Sequence, residues 1–200
     1  MTKALICATV TASTTAELRR RRDEVVDADL IELRLDSVSD PSVAGALAGR
    51  RRMVIVTCRP TWEGGRFAGS EEERKKLLGE ALSLGAEYVD VEWRAHFDDL
   101  IAQTGGRRIV LSMHDFEGMP PDVAARVQEL RATGAEVVKL AVKATRLRDC
   151  VPLLELGARA GRHGGLVLVA MGEYGVATRV LARRFGSMWT YAGLERNVGN

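Results

Sequence analysis

The sequence predicts an α/β fold, a (β/α)₈ barrel formed by a single domain over residues 1–200, and three observations carry this prediction. Short apolar runs rich in β-branched residues recur along the chain, amphipathic segments separate them, and no glycine-rich loop follows the first run. The runs cover residues 3–10, 29–36, 53–59, 88–93, 108–115, 137–143, 166–172 and 187–192.

The segments between the runs have the patterns of helices. Residues 71–85, EEERKKLLGEALSLG, have an acidic first turn and end on a glycine. Residues 120–134, PPDVAARVQELRATG, begin with proline and also end on a glycine. Alternation of strand and helix favours a parallel sheet with helical crossovers, and eight repeats of the pattern favour a barrel.

The alternative architecture is an open doubly wound sheet. That fold commonly carries a glycine-rich nucleotide loop after its first strand, whereas residues 9–18, TVTASTTAEL, contain no glycine. The barrel is therefore favoured. Only GLERNVGN, residues 193–200, follows the eighth run, so we expect a barrel whose last helix is missing or truncated.

Length and charge set bounds on function. A chain of 200 residues that is 46% hydrophobic can close one sizeable core. The formal net charge is +2, with 29 Lys and Arg against 27 Asp and Glu. The arginine runs at residues 19–22 and 50–52 are typical of a solvated face, so no nucleic-acid partner is predicted.

The cysteines and the N-terminus indicate the compartment. Cys7, Cys58 and Cys150 are too few and too scattered for a disulfide framework, which favours a reducing environment. The apolar run at the N-terminus is too short for a signal peptide, and no run reaches membrane-spanning length. We therefore expect a cytoplasmic protein with no membrane partner.

Polar side chains alternate with apolar ones along several predicted strands. Glu32 and Arg34 share one face of their strand, because successive side chains point to opposite faces. The same parity selects the following polar side chains on other strands: Arg59, Asp90 with Glu92, Ser112 with His114, and Lys139 with Lys143. Both faces of a barrel strand are covered, so we expect these groups in the interior, toward the strand ends where barrels build active sites.

Lys139 has an unusual setting, because it lies within the apolar run VVKLAVK, residues 137–143, where burying an ammonium is costly. Apolar surroundings and the positive charges of Arg34 and Arg59 favour its uncharged amine. Such an amine is a nucleophile that forms an imine with a carbonyl substrate. The imine acidifies the adjacent carbon, and His114 on the preceding strand is the natural proton carrier.

These residues also have structural interpretations. Residues 32–36 could belong to a half-exposed antiparallel strand, and a lone histidine is more often hydrogen-bonded in a structural role than catalytic. Arginines and carboxylates together suit an anionic or polyhydroxylated substrate. His96, His114 and His163 are widely spaced, so no metal site is predicted and the spacing favours metal-free imine chemistry on a small oxygenated acid.

Five motifs give the chain a family resemblance: ELRLD (32–36), TCRPTWEGG (57–65), SMHDFEGMP (112–120), VVKLAV (137–142) and MGEYGVATR (171–179). Through them the chain resembles the type I 3-dehydroquinate dehydratases, the Schiff-base class of the third shikimate-pathway enzyme. The resemblance implies a TIM barrel that dehydrates 3-dehydroquinate to 3-dehydroshikimate in aromatic amino-acid biosynthesis. It also implies that no cofactor takes part and that the protein is commonly a homodimer.

The resemblance assigns roles to residues by motif. Lys139 would form the imine, His114 would act as the general acid and base, and Glu63 would orient the histidine. The substrate-binding residues implied in the same way are Glu32 and Arg34 for the ring hydroxyls, and Arg59 and Arg179, the latter for the carboxylate. Lys143, the other lysine of its strand, would be a bystander.

The C-terminal tail departs from the pattern of the family. Relatives continue past the eighth strand into a loop bearing a serine and an APGQ-like run, and then into a final helix. Val198 stands near the place of that serine. Losing such a lid would weaken positioning and water exclusion, so one alternative is a weakened or non-catalytic relative that still binds the substrate. Another alternative is a different imine-forming lyase or aldolase on the same barrel.

Overall fold

The computed structural model describes residues 5–161 and 164–193. Within these residues strands and helices alternate as predicted. The strands are β1 Leu5–Val10, β2 Leu30–Arg34, β3 Met53–Thr57, β4 Tyr88–Glu92, β5 Ile109–Asp115, β6 Val137–Lys143, β7 Leu166–Met171 and β8 Trp189–Gly193. Each lies within or overlaps one of the apolar runs.

The helices lie between the strands and vary in length. They are α1 Thr15–Glu24, α2 Val43–Leu47, α3 Glu71–Ser83, α4 Asp98–Thr104, α5 Val123–Ala132, α6 Cys150–Ala160 and α7 Val176–Val180. Short 3₁₀ turns follow several strands, directly at Leu35–Ser37 after β2 and, with three residues between, at Thr61–Glu63 after β3. The predicted helices at 71–85 and 120–134 are therefore present as α3 and α5.

The sheet has eight strands in the order β7-β6-β5-β4-β3-β2-β1-β8. Pairing is parallel from β1 to β4, with Thr9 opposite Glu32 and Ile31 opposite Val54. It is also parallel from β5 to β7, with Ser112 opposite Lys139. Parallel neighbours joined by helical crossovers are the arrangement that the sequence predicted for a (β/α)₈ fold.

Contacts group the chain into two compact units. The N-terminal unit is built mainly on Ile6–Leu100 and the C-terminal unit on Ile101–Thr190. In the C-terminal unit β7 is buried over its whole length, and in β6 only Lys143 is exposed. Such continuous burial is typical of parallel strands whose two faces are both covered. The single domain over residues 1–200 stays a prediction.

The arginine run at residues 19–22 does not form a wholly solvated face, which corrects the prediction. Arg19 and Arg20 are exposed, but Arg22 is 2% exposed and donates hydrogen bonds to the backbone carbonyls of Ala46 and Ala48. These carbonyls lie at the end of α2, where helix carbonyls lack partners within the helix. The buried guanidinium satisfies them.

Other predictions from the sequence have simple outcomes. Cys7, Cys58 and Cys150 are buried, and none of them forms a disulfide within the described residues. Within the described residues no helix has both the length and the apolar character needed to span a bilayer. The predictions about the last helix and Val198 concern residues 194–200, which lie outside the described residues, as does His163.

Helix α3 begins with a capping box. The Ser70 hydroxyl accepts the backbone N–H of Glu73 at 3.2 Å, and the Glu73 carboxylate accepts the backbone N–H of Ser70 at 2.9 Å. This exchange satisfies two of the donors that a helix start leaves free. The Ser70 N–H also lowers the pKa of Glu73, so the cap is complete at neutral pH and is lost as acid protonates Glu73.

We expect Ser70→Ala to lower the free energy of unfolding by about 1 kcal/mol, because the first turn of α3 loses its cap. Urea unfolding followed by circular dichroism measures this. Ser83→Ala is the matched control, since Ser83 is exposed in the last turn of the same helix and donates only to the Gly79 carbonyl. Its effect should stay within about 0.5 kcal/mol. Equal losses for the two variants would contradict the role of the cap.

Candidate active site

Glu32 lies at the centre of a row of polar side chains across three neighbouring strands. Its Oε2 accepts a hydrogen bond from the Thr9 hydroxyl at 3.0 Å, and its Oε1 accepts one from the Thr57 hydroxyl at 2.9 Å. Glu32 is 4% exposed, so these donors offset part of the cost of removing its carboxylate from water. Thr9 was not predicted as a site residue, because the sequence of β1 does not indicate which residue of β2 lies opposite Thr9.

Arg34 forms a two-point ion pair with Asp36. Its Nε lies 2.8 Å from Oδ1 and its Nη2 lies 2.7 Å from Oδ2. Asp36 also accepts the backbone N–H of Arg66 at 3.1 Å, which ties this pair to the loop after β3. Burial by itself would lower the pKa of Arg34, but the Asp36 carboxylate raises it above its ordinary value. The guanidinium therefore stays charged.

Arg59 follows β3 and is held by two acids of β4. Its Nη2 lies 2.9 Å from Oδ1 of Asp90, and its Nη1 donates to Oε1 of Glu92 at 2.7 Å. The side chains of both acids are fully buried, and Arg59 is 4% exposed. Burial alone would lower the pKa of Arg59, but Asp90 and Glu92 raise it well above its ordinary value. Two buried acids thus supply counter-charges for Arg59.

Arg59, Asp90 and Glu92 form a buried charge cluster, and a second buried arginine contacts it. This arginine was not predicted from the sequence. Arg74 on α3 is fully buried and donates to Oε2 of Glu92. It shares the buried stripe of α3 with Leu78, Ala81 and Leu82. A charged residue at a position that helical spacing assigns to the core is the signal that would have found it.

Glu63 ends the short turn after β3 and its side chain is buried, at 3% exposure. The loop that carries it closes on itself, because the Phe67 N–H donates to the Arg59 carbonyl at 3.0 Å and the Thr61 N–H donates to the Phe67 carbonyl at 3.1 Å. The Gly65 N–H donates to the Pro60 carbonyl at 2.9 Å. A loop fixed by its own backbone bonds can hold a carboxylate in one place.

Lys139 and His114 lie on neighbouring strands of the C-terminal unit. Lys139 on β6 is paired with Ser112 on β5, and His114 is two residues further along β5. Residues two apart on a strand share a face, so the amine and the imidazole project from the same side of the sheet. Lys139 is 5% exposed, and its neighbours Val138 and Leu140 are fully buried. The structure therefore places this pair as the sequence predicted, while their roles stay predictions.

The strand end beyond His114 is ordered by local contacts. The imidazole is stacked with the Phe116 ring, with centroids 6.1 Å apart and planes inclined by 14°. The Asp115 carboxylate accepts the backbone N–H groups of Glu117 and Gly118 at 2.9 and 3.2 Å. This Asx-type turn ends β5 just after the histidine.

Arg179 is on α7, half-buried, beside the end of β7. Its Nη1 and Nη2 lie 3.4 Å from the carbonyls of Ala170 and Gly172, and among the described residues no carboxylate pairs with it. Burial lowers the pKa of its guanidinium. An arginine without a carboxylate partner is suited to binding an anion. Lys143 is exposed, so its predicted place in the interior is wrong, because β6 ends at this residue.

The predicted site residues thus fall into two sets. The N-terminal unit carries Glu32, Arg34, Arg59 and Glu63, and the C-terminal unit carries His114, Lys139 and Arg179. The first set offers fixed charges for a polar substrate, and the second offers a buried lysine on the same face of the sheet as a histidine. Cys58 is a poor nucleophile, since burial raises the pKa of its thiol to about 12.

Residues 6–199 match the family described as "Type I 3-dehydroquinase". The chain belongs to this family. The 3-dehydroquinate dehydratase of Desulfotalea psychrophila is 32% identical over 195 residues, which cover 93% of this chain and 86% of that protein. The enzyme of the same name from Methanothermobacter thermautotrophicus is 33% identical over 200 residues, covering 96% and 89%.

Solved structures of family members share the fold. The 3-dehydroquinate dehydratase from Enterococcus faecalis aligns with a TM-score of 0.82 at 28% identity, covering 96% of this chain and 89% of that one. The enzyme from Aquifex aeolicus aligns with a TM-score of 0.78 at 30% identity, covering 96% and 90%. The (β/α)₈ barrel predicted from the sequence is confirmed.

We expect Gly65→Ala to disrupt the loop that carries Glu63. A Cβ at Gly65 would lie 2.1 Å from the Arg59 carbonyl oxygen, so the backbone must move. Displacing the loop should lower kcat/KM at least about tenfold and cost about 1–3 kcal/mol of stability. Steady-state kinetics and urea unfolding measure these changes.

Gly79→Ala is the control for this prediction. Gly79 lies in α3, where a Cβ would lie 3.8 Å from the Leu100 side chain, an ordinary van der Waals contact. Alanine favours the helix by about 0.5–1 kcal/mol, so this variant should keep full activity and gain stability. Normal activity in Gly65→Ala would show that the loop does not need this backbone contact.

Proposed function

We propose that the chain dehydrates 3-dehydroquinate to 3-dehydroshikimate in the shikimate pathway, through an imine on Lys139. Membership of the type I 3-dehydroquinase family supports the reaction and the substrate. The observation that carries the mechanism is the buried amine of Lys139 on the same face of the sheet as His114. This pair has the two groups that imine-based elimination needs, a nucleophile and a proton carrier.

The proposed reaction begins when the Lys139 amine attacks the ketone carbon of the substrate. The resulting carbinolamine loses water and becomes an iminium, which draws electrons from the adjacent C2–H bond. His114 removes the C2 proton, and the electron pair forms the new carbon–carbon double bond as the C1 hydroxyl leaves. The imidazolium returns its proton to that hydroxyl, so water departs. Hydrolysis of the imine releases the product and restores the amine.

The remaining predicted residues bind and orient in this proposal. Arg179 pairs with the substrate carboxylate, because a guanidinium forms two parallel hydrogen bonds to a carboxylate. Glu32 and Arg34 bind ring hydroxyls, and Arg59 supplies a further fixed positive charge. Glu63 orients His114, a role that rests on the family resemblance.

Lys139→Ala should abolish dehydration, because it removes the amine that forms the imine in this proposal. The absorbance of the enone product at the start of the reaction measures this. Borohydride reduction in the presence of 3-dehydroquinate should add the mass of the reduced ligand to Lys139 of the wild-type protein and none to the variant. Lys143→Ala is the matched control, since Lys143 is on the same strand but exposed, and it should keep both activity and the adduct. An adduct on any other lysine would reject the proposed mechanism.

His114→Ala should separate imine formation from proton transfer. The variant keeps the Lys139 amine, so borohydride should still trap the ligand on the protein. Product formation should fall by about 10²–10⁴-fold, the range expected when a general acid–base is removed. Peptide mass spectrometry and the enone absorbance measure the two steps on the same sample. A variant that turns over at the wild-type rate would exclude His114 as the proton carrier.

We also propose that the protein is a cytoplasmic homodimer, as the family resemblance implies. Large apolar side chains are exposed in the turns and helix starts after β6 and β7, and they are Leu147, Val151, Tyr174 and Val176. Exposed apolar groups clustered in sequence and structure are typical of an interface. Light scattering coupled to size-exclusion chromatography should give twice the chain mass of 21.8 kDa, and a monomer would exclude the dimer.

A further inference from the structure

Arg74 lies outside the set of residues that the family resemblance assigns, yet it is a fully buried charge of the N-terminal unit. It is fully buried on α3 and reaches toward β4. We propose that Arg74 is a positioning residue for the dehydration, acting through Glu92 to hold Arg59 in the orientation that binds the substrate. This inference rests on the proposed function, because it takes the role of Arg59 from it.

The carboxylate of Glu92 is shared between two arginines. Its Oε1 accepts Nη1 of Arg59 at 2.7 Å, and its Oε2 accepts Nη1 of Arg74. Each arginine thus has its own oxygen on the same acid. Any rotation of Glu92 that breaks one bond also changes the other, so the position of Arg59 depends on Arg74.

Arg74 adds a second buried positive charge beside the acids of β4. Asp90 and Glu92 are both fully buried and both contact Arg59, and Glu92 also contacts Arg74. A buried carboxylate that loses an ion-pair partner is strongly destabilised. Removal of Arg74 therefore takes one counter-charge away from Glu92.

Arg74 is itself fixed from the opposite side. Its Nε lies 3.1 Å from the Glu71 carboxylate, to which Nη2 also donates, and Nη1 lies 3.4 Å from the Cys58 carbonyl. Its guanidinium carbon lies 4.7 Å from the centroid of the Phe97 ring. A guanidinium with all of its faces and edges engaged has little freedom to reorient.

The same contacts extend to the loop that carries Glu63. The Trp62 indole N–H donates to Glu71 at 3.0 Å, and the Arg74 guanidinium lies 5.8 Å from the Trp62 ring. Trp62 directly precedes Glu63 in the turn after β3. Arg74 therefore stabilises the positions of both Arg59 and the backbone next to Glu63. Because Arg74 is fully buried, it does not contact a substrate itself.

Removal of Arg74 should change the ionisation of Glu92. The titratable and charged groups facing Glu92 within this unit are Arg59, Arg74, Asp90 and Cys58. Burial and the charge of Asp90 raise the pKa of Glu92, while Arg59 and Arg74 lower it. Without Arg74 the pKa rises further, so Glu92 is protonated over a wider range of pH. The ion pair between Glu92 and Arg59 is then weakest at acidic pH and becomes stronger as pH rises.

The test compares Arg74→Gln, Arg74→Lys and Glu92→Gln with the double variant Arg74→Gln/Glu92→Gln. We expect Arg74→Gln to lower kcat/KM by about 10–100-fold and to move the acidic limb of its pH profile to higher pH. Arg74→Lys keeps one positive charge beside Glu92 and should retain the wild-type limb. The double variant has no Glu92 carboxyl to titrate, so the shifted limb should disappear.

Arg22→Gln is the matched control, because Arg22 is also a buried arginine of this unit, and within the described residues its hydrogen bonds go to Asp23 and to backbone carbonyls. It should lose stability in urea without moving the pH profile. An Arg74→Gln variant that folds and keeps the wild-type limb overturns the inference. If Arg74→Gln does not fold, an unchanged limb and unchanged kcat/KM in Glu92→Gln overturn it instead. Failure of the wild-type protein to form the Lys139 adduct would reject the proposed function, which distinguishes the two failures.

Discussion

Buried charges in the N-terminal unit must be paired, and this requirement governs how β4, α3 and the residues after β3 are arranged. Arg59, Asp90 and Glu92 have lost nearly all contact with water, and an unpaired ion in such a place is far more costly than an exposed one. The acids and arginines at the strand ends must therefore be paired with one another in the folded protein before this site can bind a substrate. The chain meets this requirement with Asp90 and Glu92 from β4, Arg59 from the segment after β3, and Arg74 from α3.

This pairing also determines which groups can change charge. The arginines beside the acids stay positive, because the carboxylates raise the pKa values of Arg34 and Arg59. Arg179 is different, since burial lowers its pKa and its described contacts are to backbone carbonyls. A fixed set of charges can orient a substrate, whereas a cation without a carboxylate partner can still gain stability when an anion arrives. The two kinds of arginine therefore suit two different tasks.

The loop after β3 connects packing to the proposed chemistry. It is bonded to the end of β3 through Arg59 and Phe67, and Asp36 links it to Arg34. Gly65 has no room for a side chain because the Arg59 carbonyl occupies that space. A glycine that looks like simple loop composition in the sequence is thus required by a close backbone contact. Such a loop holds Glu63 without needing a large apolar contact of its own.

The alternation of strands and helices, the parity of Glu32 with Arg34 and that of Ser112 with His114 could all be predicted from the sequence, because these patterns are local properties of the chain. The motifs also sufficed to indicate the family. Three contacts became visible with the folded chain: Thr9 bonds to Glu32, Arg22 is buried against the carbonyls at the end of α2, and Arg74 bonds to Glu92. These contacts join residues 18 to 26 positions apart, so they depend on strand register and helix packing, which no local pattern encodes.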